Sequence, residues 1–419
     1  MTAGPQRLLY LTQWFAPEPV AIPVWVADAL QRRGWDIEVV TAFPNYPEGV
    51  VHEGYNPKRF LRDHAAGYRV TRTPVYASRD SSAVRRMLSY FSWAVTATPV
   101  AVWRSRGRGA SLVYSSPATA ALPAMVARIL TGRRYVLFVQ DIWPDSVTAA
   151  GFIRNARLLR SIEWALTLFV NASYRLANTV VVISSGARRE LISRGVPQDK
   201  IAVVHNWVDE AIMRPQHRTG ELRSALGLTD EDFLLMYAGT LGPAQTLGTA
   251  IEAIAATTSR AHLVLVGAGV ERHDLEAQAE SGGTGRIHFI DPVPLDKIST
   301  LMADADAQLI SLAPDPVFEV TLPSKIQSTL AAGSVCIGAV SGDAAAVLNG
   351  AGSRTSVPGD ASALARAIDE VAALTPDERM TLRARARRFY EKHLSEDAGA
   401  SRLSDILTTA TGRRNGRER

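Results

Sequence analysis

The chain contains one cysteine, Cys336, set in the apolar run Val335-Cys336-Ile337. Neither an intrachain disulfide nor a multi-cysteine metal site can form from it, and a reducing cytoplasm suits it. Uninterrupted apolar stretches of about 18 residues are missing too, so no segment reads as a membrane-spanning helix. The early run Leu8-Leu9-Tyr10-Leu11 is too short for a signal peptide and lacks a cleavage pattern. What is present is an ordinary globular mixture, 47% apolar and 21% charged, over 419 residues. That length exceeds a single core, and two domains of roughly 200 residues each are expected.

The net charge of +5 is unevenly divided. Residues 1–200 hold 25 Lys and Arg against 13 Asp and Glu, whereas residues 201–419 hold 21 against 28. The basic first half points to an anionic partner such as nucleic acid, a polyanionic substrate or a membrane surface. Two of its stretches mix arginine with aromatic and aliphatic residues: Arg85-Arg86-Met87-Leu88 through Trp103-Arg104, and Arg154–Arg160 running into Trp164, Leu168 and Phe169. Peripheral helices on anionic lipid have this composition.

Strand-like runs alternate with helical stretches. Leu8–Thr12, Asp36–Thr41, Ser111–Ser115, Tyr135–Val139, Thr179–Ile183 and Ile201–Val204 read as strands, with helices near Val24–Arg33, Ala118–Leu130 and Leu158–Leu176 between them. The rhythm restarts at Phe233–Tyr237 and continues through His262–Val266, Arg286–Ile290 and Ala307–Leu312. Two parallel sheets covered on both faces follow, with a boundary near His205-Asn206-Trp207-Val208-Asp209. Such sheets bind ligands beyond the carboxyl ends of their strands.

Several segments fall at those ends. In Leu322-Pro323-Ser324-Lys325, Pro323 and Ser324 suit a helix start, and Gly333 suits its stop. Free N–H groups, the helix dipole and the Lys325 ammonium would converge on an anion there. Val266-Gly267-Ala268-Gly269 opens like a dinucleotide loop, but Arg272 stands where the third glycine belongs, so a close ligand approach and a tight turn both remain open. Asp304-Ala305-Asp306 looks like a short acidic metal motif, yet its setting makes the aspartates a helix end and a strand start. Gln140-Asp141-Ile142-Trp143-Pro144-Asp145-Ser146 follows a strand, and Asp141 could accept from a sugar hydroxyl or cap a turn. The loop Phe43-Pro44-Asn45-Tyr46-Pro47 could stack on a sugar ring or fold onto its own domain.

Together these segments, with Phe15-Ala16-Pro17-Glu18, Val204-His205-Asn206-Trp207 and Tyr237-Ala238-Gly239-Thr240-Leu241-Gly242, resemble the retaining nucleotide-sugar glycosyltransferases of family 4. The resemblance is greatest to bacterial polysaccharide enzymes of the L-fucosamine transferase type. It implies an α/β chain of the GT-B fold, with two doubly wound Rossmann-like domains facing a cleft. Residues 1–205 would bind the acceptor and 206–390 the nucleotide sugar, while 391–419 would return a helix to the first domain and end in a frayed basic tail.

By position, Gly239, Thr240, Gly242, Gln245, Gly267, Pro323, Ser324 and Ser328 would surround the donor, with segment 289–296 facing the base. Lys325, Asp141 and Glu319 would serve catalysis, and Asn45, Tyr46 and Trp143 would meet the acceptor. The resemblance implies a UDP-sugar co-substrate, no metal, a lipid-linked or saccharide acceptor, the inner face of the cytoplasmic membrane, and no nucleic acid. It also has departures. The loop after the first strand, Glu18-Pro19-Val20-Ala21-Ile22-Pro23, has no glycine, and Val320 and Ser328 stand where the family has two glutamates. Glu319 and Gln327 keep the eight-residue separation one position early, which on a helix turns a side chain by about 100°. A sugar-nucleotide 2-epimerase and a non-catalytic nucleotide-sugar-binding or partner-binding protein are the alternative readings.

Overall fold

A computed structural model describes residues 6–57, 59–78, 83–106, 109–143 and 156–412. Pro144, Asp145, Ser146, Arg154 and the tail from residue 413 lie outside the described residues. The chain forms two compact units: 1–183 with 187–204 and 400–419, and 184–186 with 205–399.

In the first unit the elements are β1 (Gln6–Leu11), α1 (Ala21–Arg32), β2 (Trp35–Ala42), β3 (Leu61–Ala65), β4 (Tyr68–Thr73), α2 (Ala83–Ser105), β5 (Ala110–Ser115), α3 (Ala121–Thr131), β6 (Arg134–Val139), α4 (Ala156–Leu176), β7 (Thr179–Val182), α5 (Ser185–Ser193) and β8 (Ile201–Val203). The sheet order is β3-β4-β2-β1-β5-β6-β7-β8, parallel except for β3 against β4. Leu8, Leu9, Tyr10 and Leu11 are all fully buried, because a parallel strand with helices on both faces needs apolar side chains on both.

The β3–β4 hairpin is not signalled by the hydrophobic pattern. β3 is a mostly exposed edge strand, Leu-Arg-Asp-His-Ala, held by pairing to β4 rather than by its own burial. Arg72 on β4 is fully buried, and a buried guanidinium requires partners. Its Nε donates to Asp63 at 2.7 Å and its Nη2 to the Ala16 carbonyl at 2.7 Å, which pins the loop after β1.

The second unit contains α6 (Glu221–Ala225), β9 (Phe233–Ala238), α7 (Leu247–Ala256), β10 (Ala261–Val266), α8 (Arg272–Ser281), β11 (Ile287–Ile290), α9 (Leu295–Asp304), β12 (Ala307–Ser311), α10 (Pro316–Glu319), α11 (Ser324–Ala331), β13 (Cys336–Ala339), α12 (Gly342–Ala351), β14 (Arg354–Ser356), α13 (Ala361–Ala372) and α14 (Pro376–His393). Its parallel order, β11-β10-β9-β12-β13-β14, reverses between β9 and β12. That reversal leaves a crevice at the carboxyl ends of those two strands. The core is Leu- and Ala-rich with isoleucine on both faces of the sheet, and Cys336 is buried within it.

A last helix, α15 (Glu396–Ala410), carries the chain back, and residues from Ala400 onward belong to the first unit. The Trp35 indole donates to Ser404 Oγ at 2.9 Å. This return comes later than residue 391 because Tyr390 and Leu394 are buried in the second unit's core.

Candidate functional site

At the switch point of the second sheet a cavity of about 420 Å³ opens between the ends of β9 and β12, with α9 and α11 beside it. Tyr237 and Ala238 come from β9, Ile310 and Ser311 from β12, Leu295, Ile298 and Met302 from α9, and Ser324, Lys325, Ser328 and Thr329 from α11. The Lys325 Nζ is fully enclosed and has no hydrogen-bond partner. It sits 3.1 Å from the centroid of the Tyr237 ring. Burial pushes the lysine well below its usual range, since an enclosed ammonium loses its hydration.

The loop after β9 supplies Gly239, Thr240 and Gln245 to the same cavity. It is held from behind by the loop after β10, through Gly239 N–H to the Val266 carbonyl and Leu241 N–H to the Ala268 carbonyl, both at 2.9 Å. Two glycines make this contact possible. A Cβ on Gly267 would lie 1.9 Å from the Gly239 carbonyl oxygen, and one on Gly269 would lie 2.0 Å from that of Leu241. Gly267 and Gly242 do not line the cavity; Gly267 lets backbone meet backbone, and Gly242 accepts from Gln245 N–H at 3.0 Å. At Gly267 the group in close approach is the chain itself. At the end of this loop Thr246 takes φ +43°, unusual for a β-branched residue, and its buried hydroxyl lacks a partner.

Helix α11 begins after Pro323 without a side-chain cap, and Gly333 ends it at φ +63°. The first N–H groups of such a helix have no intrahelical acceptor, which leaves them for an anion. Pro323, Ser324 and Ser328 line the cavity, whereas Gln327 is only 3% exposed and packs inward. The single-residue offset thus decides what faces the ligand space: a serine hydroxyl. Glu319 ends the short helix α10 and is exposed outside the cavity lining. Of segment 289–296, Leu295 reaches the cavity.

The acidic motif is engaged elsewhere. Asp304 accepts from the N–H groups of Thr219, Gly220 and Leu222 at 2.7, 2.9 and 3.0 Å, and so caps α6. Burial pushes its carboxyl up, but these donors outweigh that and hold it below the usual range. Asp306 accepts from Arg223 at 3.0 Å and from Leu234 N–H at 2.8 Å. Asp304→Ala strands three backbone donors, so the second unit should lose about 2–4 kcal/mol in urea titrations while the folded variant keeps its ligand affinity. Unchanged stability with lost ligand binding would give Asp304 a ligand role instead.

In the first unit, Asp141 lies just beyond β6, exposed, and accepts from Ser116 Oγ at 3.0 Å beyond β5. Glu18 is 5% exposed and takes N–H bonds from Phe15, Asn45 and Tyr46, joining the loops after β1 and β2. Burial raises its carboxyl despite those donors. Asn45 is buried, and its amide is used by the Phe43 carbonyl at 2.8 Å. Trp143 is buried in the core against Tyr90. Asn45 and Trp143, both expected at the acceptor, are thus buried within the first unit. Tyr46, 42% exposed and 5.7 Å from the Trp14 ring, retains a free face.

Comparison with known proteins agrees with this architecture. Residues 23–207 match the glycosyl transferase 4-like domain, and residues 232–373 match the domain of glycosyl transferases group 1. The structure of Anabaena HepE in complex with UDP superposes with a TM-score of 0.69 at 18% identity, covering 96% of this chain and all of that one. The fold is that of the GT-B glycosyltransferases. Among curated relatives, the colanic acid biosynthesis glycosyl transferase WcaI of Escherichia coli K12 is 26% identical over 328 residues, 76% of this chain and 79% of WcaI. The glycosyltransferase WbjE of Pseudomonas aeruginosa is 24% identical over 64% of this chain and 68% of its own length.

Within this GT-B chain, sequence reasoning missed part of the cavity. Tyr237 was visible as the last aromatic of a strand before a glycine, a position that faces the crevice. Gln308, Thr329 and Met213 carried no local signal, since they come together only through packing of β12, α11 and the segment after β8.

Proposed function

We propose that this glycosyltransferase moves a sugar from a UDP-linked donor held in the second unit to a lipid-linked or saccharide acceptor, with retention of configuration. The observation that carries the reading is Lys325, an enclosed lysine without an anionic partner among the described residues, at the start of α11 in the switch-point cavity. A diphosphate supplies the missing partner, and the α11 N-terminus adds its dipole and N–H groups. The bond from the anomeric carbon to the diphosphate breaks as the acceptor hydroxyl attacks from the same face, and its proton passes to the departing phosphate oxygen. Electrostatic stabilisation of that leaving group is the main catalytic effect, and no side-chain nucleophile takes part. The Asp304 and Asp306 carboxylates are occupied by α6 donors and Arg223, so neutralisation falls to Lys325 rather than to a metal on that motif.

By the resemblance, Asp141 would face the transferred sugar and Tyr46 the acceptor. The bound UDP of HepE and the polysaccharide named for WcaI favour a UDP donor and an envelope saccharide. The test is incubation with bacterial membranes and a panel of labelled UDP- and GDP-sugars, followed by identification of the labelled lipid. Donor consumption in the absence of any acceptor would favour an epimerase, and UDP binding with no turnover on any acceptor would favour a binding protein.

The acceptor class fits a membrane-facing surface. No helix among the described residues is long and apolar enough to cross a bilayer. Leu88, Phe91 and Val95 form an exposed stripe on α2, Trp164 and Leu168 another on α4, and Phe91 meets Phe169 at 6.4 Å. With Arg85 and Arg160 exposed beside them, these residues suit anionic lipid. The protein should pellet with phosphatidylglycerol vesicles, and a Trp164→Glu/Leu168→Glu variant should lose about tenfold in partitioning. Equal pelleting of both would remove this surface from the proposal.

A further inference from the structure

Resting on the donor site just described, we infer that Tyr237 is a positioning residue that seats the unliganded Lys325 side chain on its ring face, and that an incoming diphosphate brings a proton into the site as it takes that side chain over.

The geometry isolates the pair. Lys325 Nζ is enclosed, lies 3.1 Å from the Tyr237 centroid, and among the described residues has no hydrogen-bond or ion-pair partner. The ring face is the electron-rich surface that the nitrogen meets, and it accepts an N–H from either protonation state. The ring itself is fixed. Tyr237 is 2% exposed, and its hydroxyl donates to the Thr240 carbonyl at 2.7 Å, tying the seat to the loop of Gly239 and Thr240. Space at Gly239 is shaped to the same end, since a Cβ there would lie 3.1 Å from Nζ.

No other lining residue titrates. Those on α9 are apolar, β12 offers Gln308 and Ser311, α11 offers Ser324, Ser328 and Thr329, and the glycine loop offers Thr240 and Gln245. Enclosure without an anion favours the neutral amine, in line with the lowered proton affinity of Lys325. A bound diphosphate reverses the balance, because a nearby negative charge favours the ammonium. The bound lysine therefore holds its proton to a higher pH than the free one. Between those two values binding takes up a proton, and affinity falls as pH rises through that interval.

Titration calorimetry with UDP at several pH values between about 7.5 and 9, where the diphosphate is fully ionised, in buffers of different ionisation enthalpy counts the proton directly. The native protein should take up a proton on binding UDP within that range, and Lys325→Met should take up none. Tyr237→Phe keeps the ring and should bind UDP within about threefold of native with the same proton count. Tyr237→Leu removes the seat and should weaken binding about tenfold. Its proton count should fall, because a lysine released toward solvent is already protonated. UDP binding to the native protein without proton uptake overturns the inference while leaving the donor site intact. A Tyr237→Leu protein that matches native in affinity and proton count overturns the role of the ring. Absence of UDP binding to the native protein removes the donor site and this inference together. Should Tyr237→Leu fail to fold, the native and Lys325→Met proton counts still decide the coupling.

Discussion

Replacing Lys325 by alanine should lower turnover about a hundredfold or more, the cost typical of removing one preorganised group from a developing charge. The protein should remain folded, because the lost contact is a single approach to the Tyr237 ring in a cavity already open to ligand. The effect should fall mainly on kcat. Charge accumulates on the diphosphate as its bond to the sugar breaks, so the lysine is worth more in the transition state than in the ground state. Donor affinity should also drop, since the α11 N-terminus and the glycine loop remain but the sole lining cation is gone. Steady-state kinetics with the donor identified from the sugar panel will measure both. Near-normal turnover in this variant would falsify the assignment of the cavity to the leaving diphosphate.

Gly267→Ala should be severely damaging to the second unit. At φ +147° the backbone is one that side-chain-bearing residues rarely adopt, and the new Cβ would lie 1.9 Å from the Gly239 carbonyl oxygen. Backbone cannot rotate away as a side-chain tip can. The two loops must separate, breaking the Gly239 and Leu241 hydrogen bonds that set the cavity floor. A loss of about 3 kcal/mol or more is expected, together with loss of UDP binding in calorimetry. Gly132, at φ +71° with open space around its Cβ position, provides the contrast, and alanine there should cost about 1–2 kcal/mol with UDP affinity intact. Equal effects at the two positions would show that conformation alone matters and that the packed loops do not.

The contrast between these glycines also marks how far a sequence can be read. A glycine after a strand signals that something comes close, and at Gly267 the something is the neighbouring loop. Nothing local distinguishes that from a phosphate, because both need the same missing side chain. The eight-residue spacing of Glu319 and Gln327 fails for a similar reason. Helix α11 turns Gln327 inward and Ser328 to the cavity, so a spacing that looks conserved in length is displaced in direction. The resemblance puts Trp143 and Asn45 at the acceptor by position, but their burial depends on what packs over the strand ends.

Parallel strands with helices on both faces were determined by the sequence alone, since two-sided burial demands continuous apolar runs such as Leu8–Leu11 and Leu263–Val266. So was the start of α11 just after Pro323, whose fixed φ and missing N–H suit the residue that opens a helix. The tertiary structure decided the rest. Strand order puts the switch point between β9 and β12, and only that order lowers Lys325 onto the ring of Tyr237, 88 positions earlier in the chain, by the numbering. Enclosure of a charge is a property of every element around it. A lysine in a list of residues is a hydrated cation, and the packed walls of the cavity take away that hydration without supplying an anion.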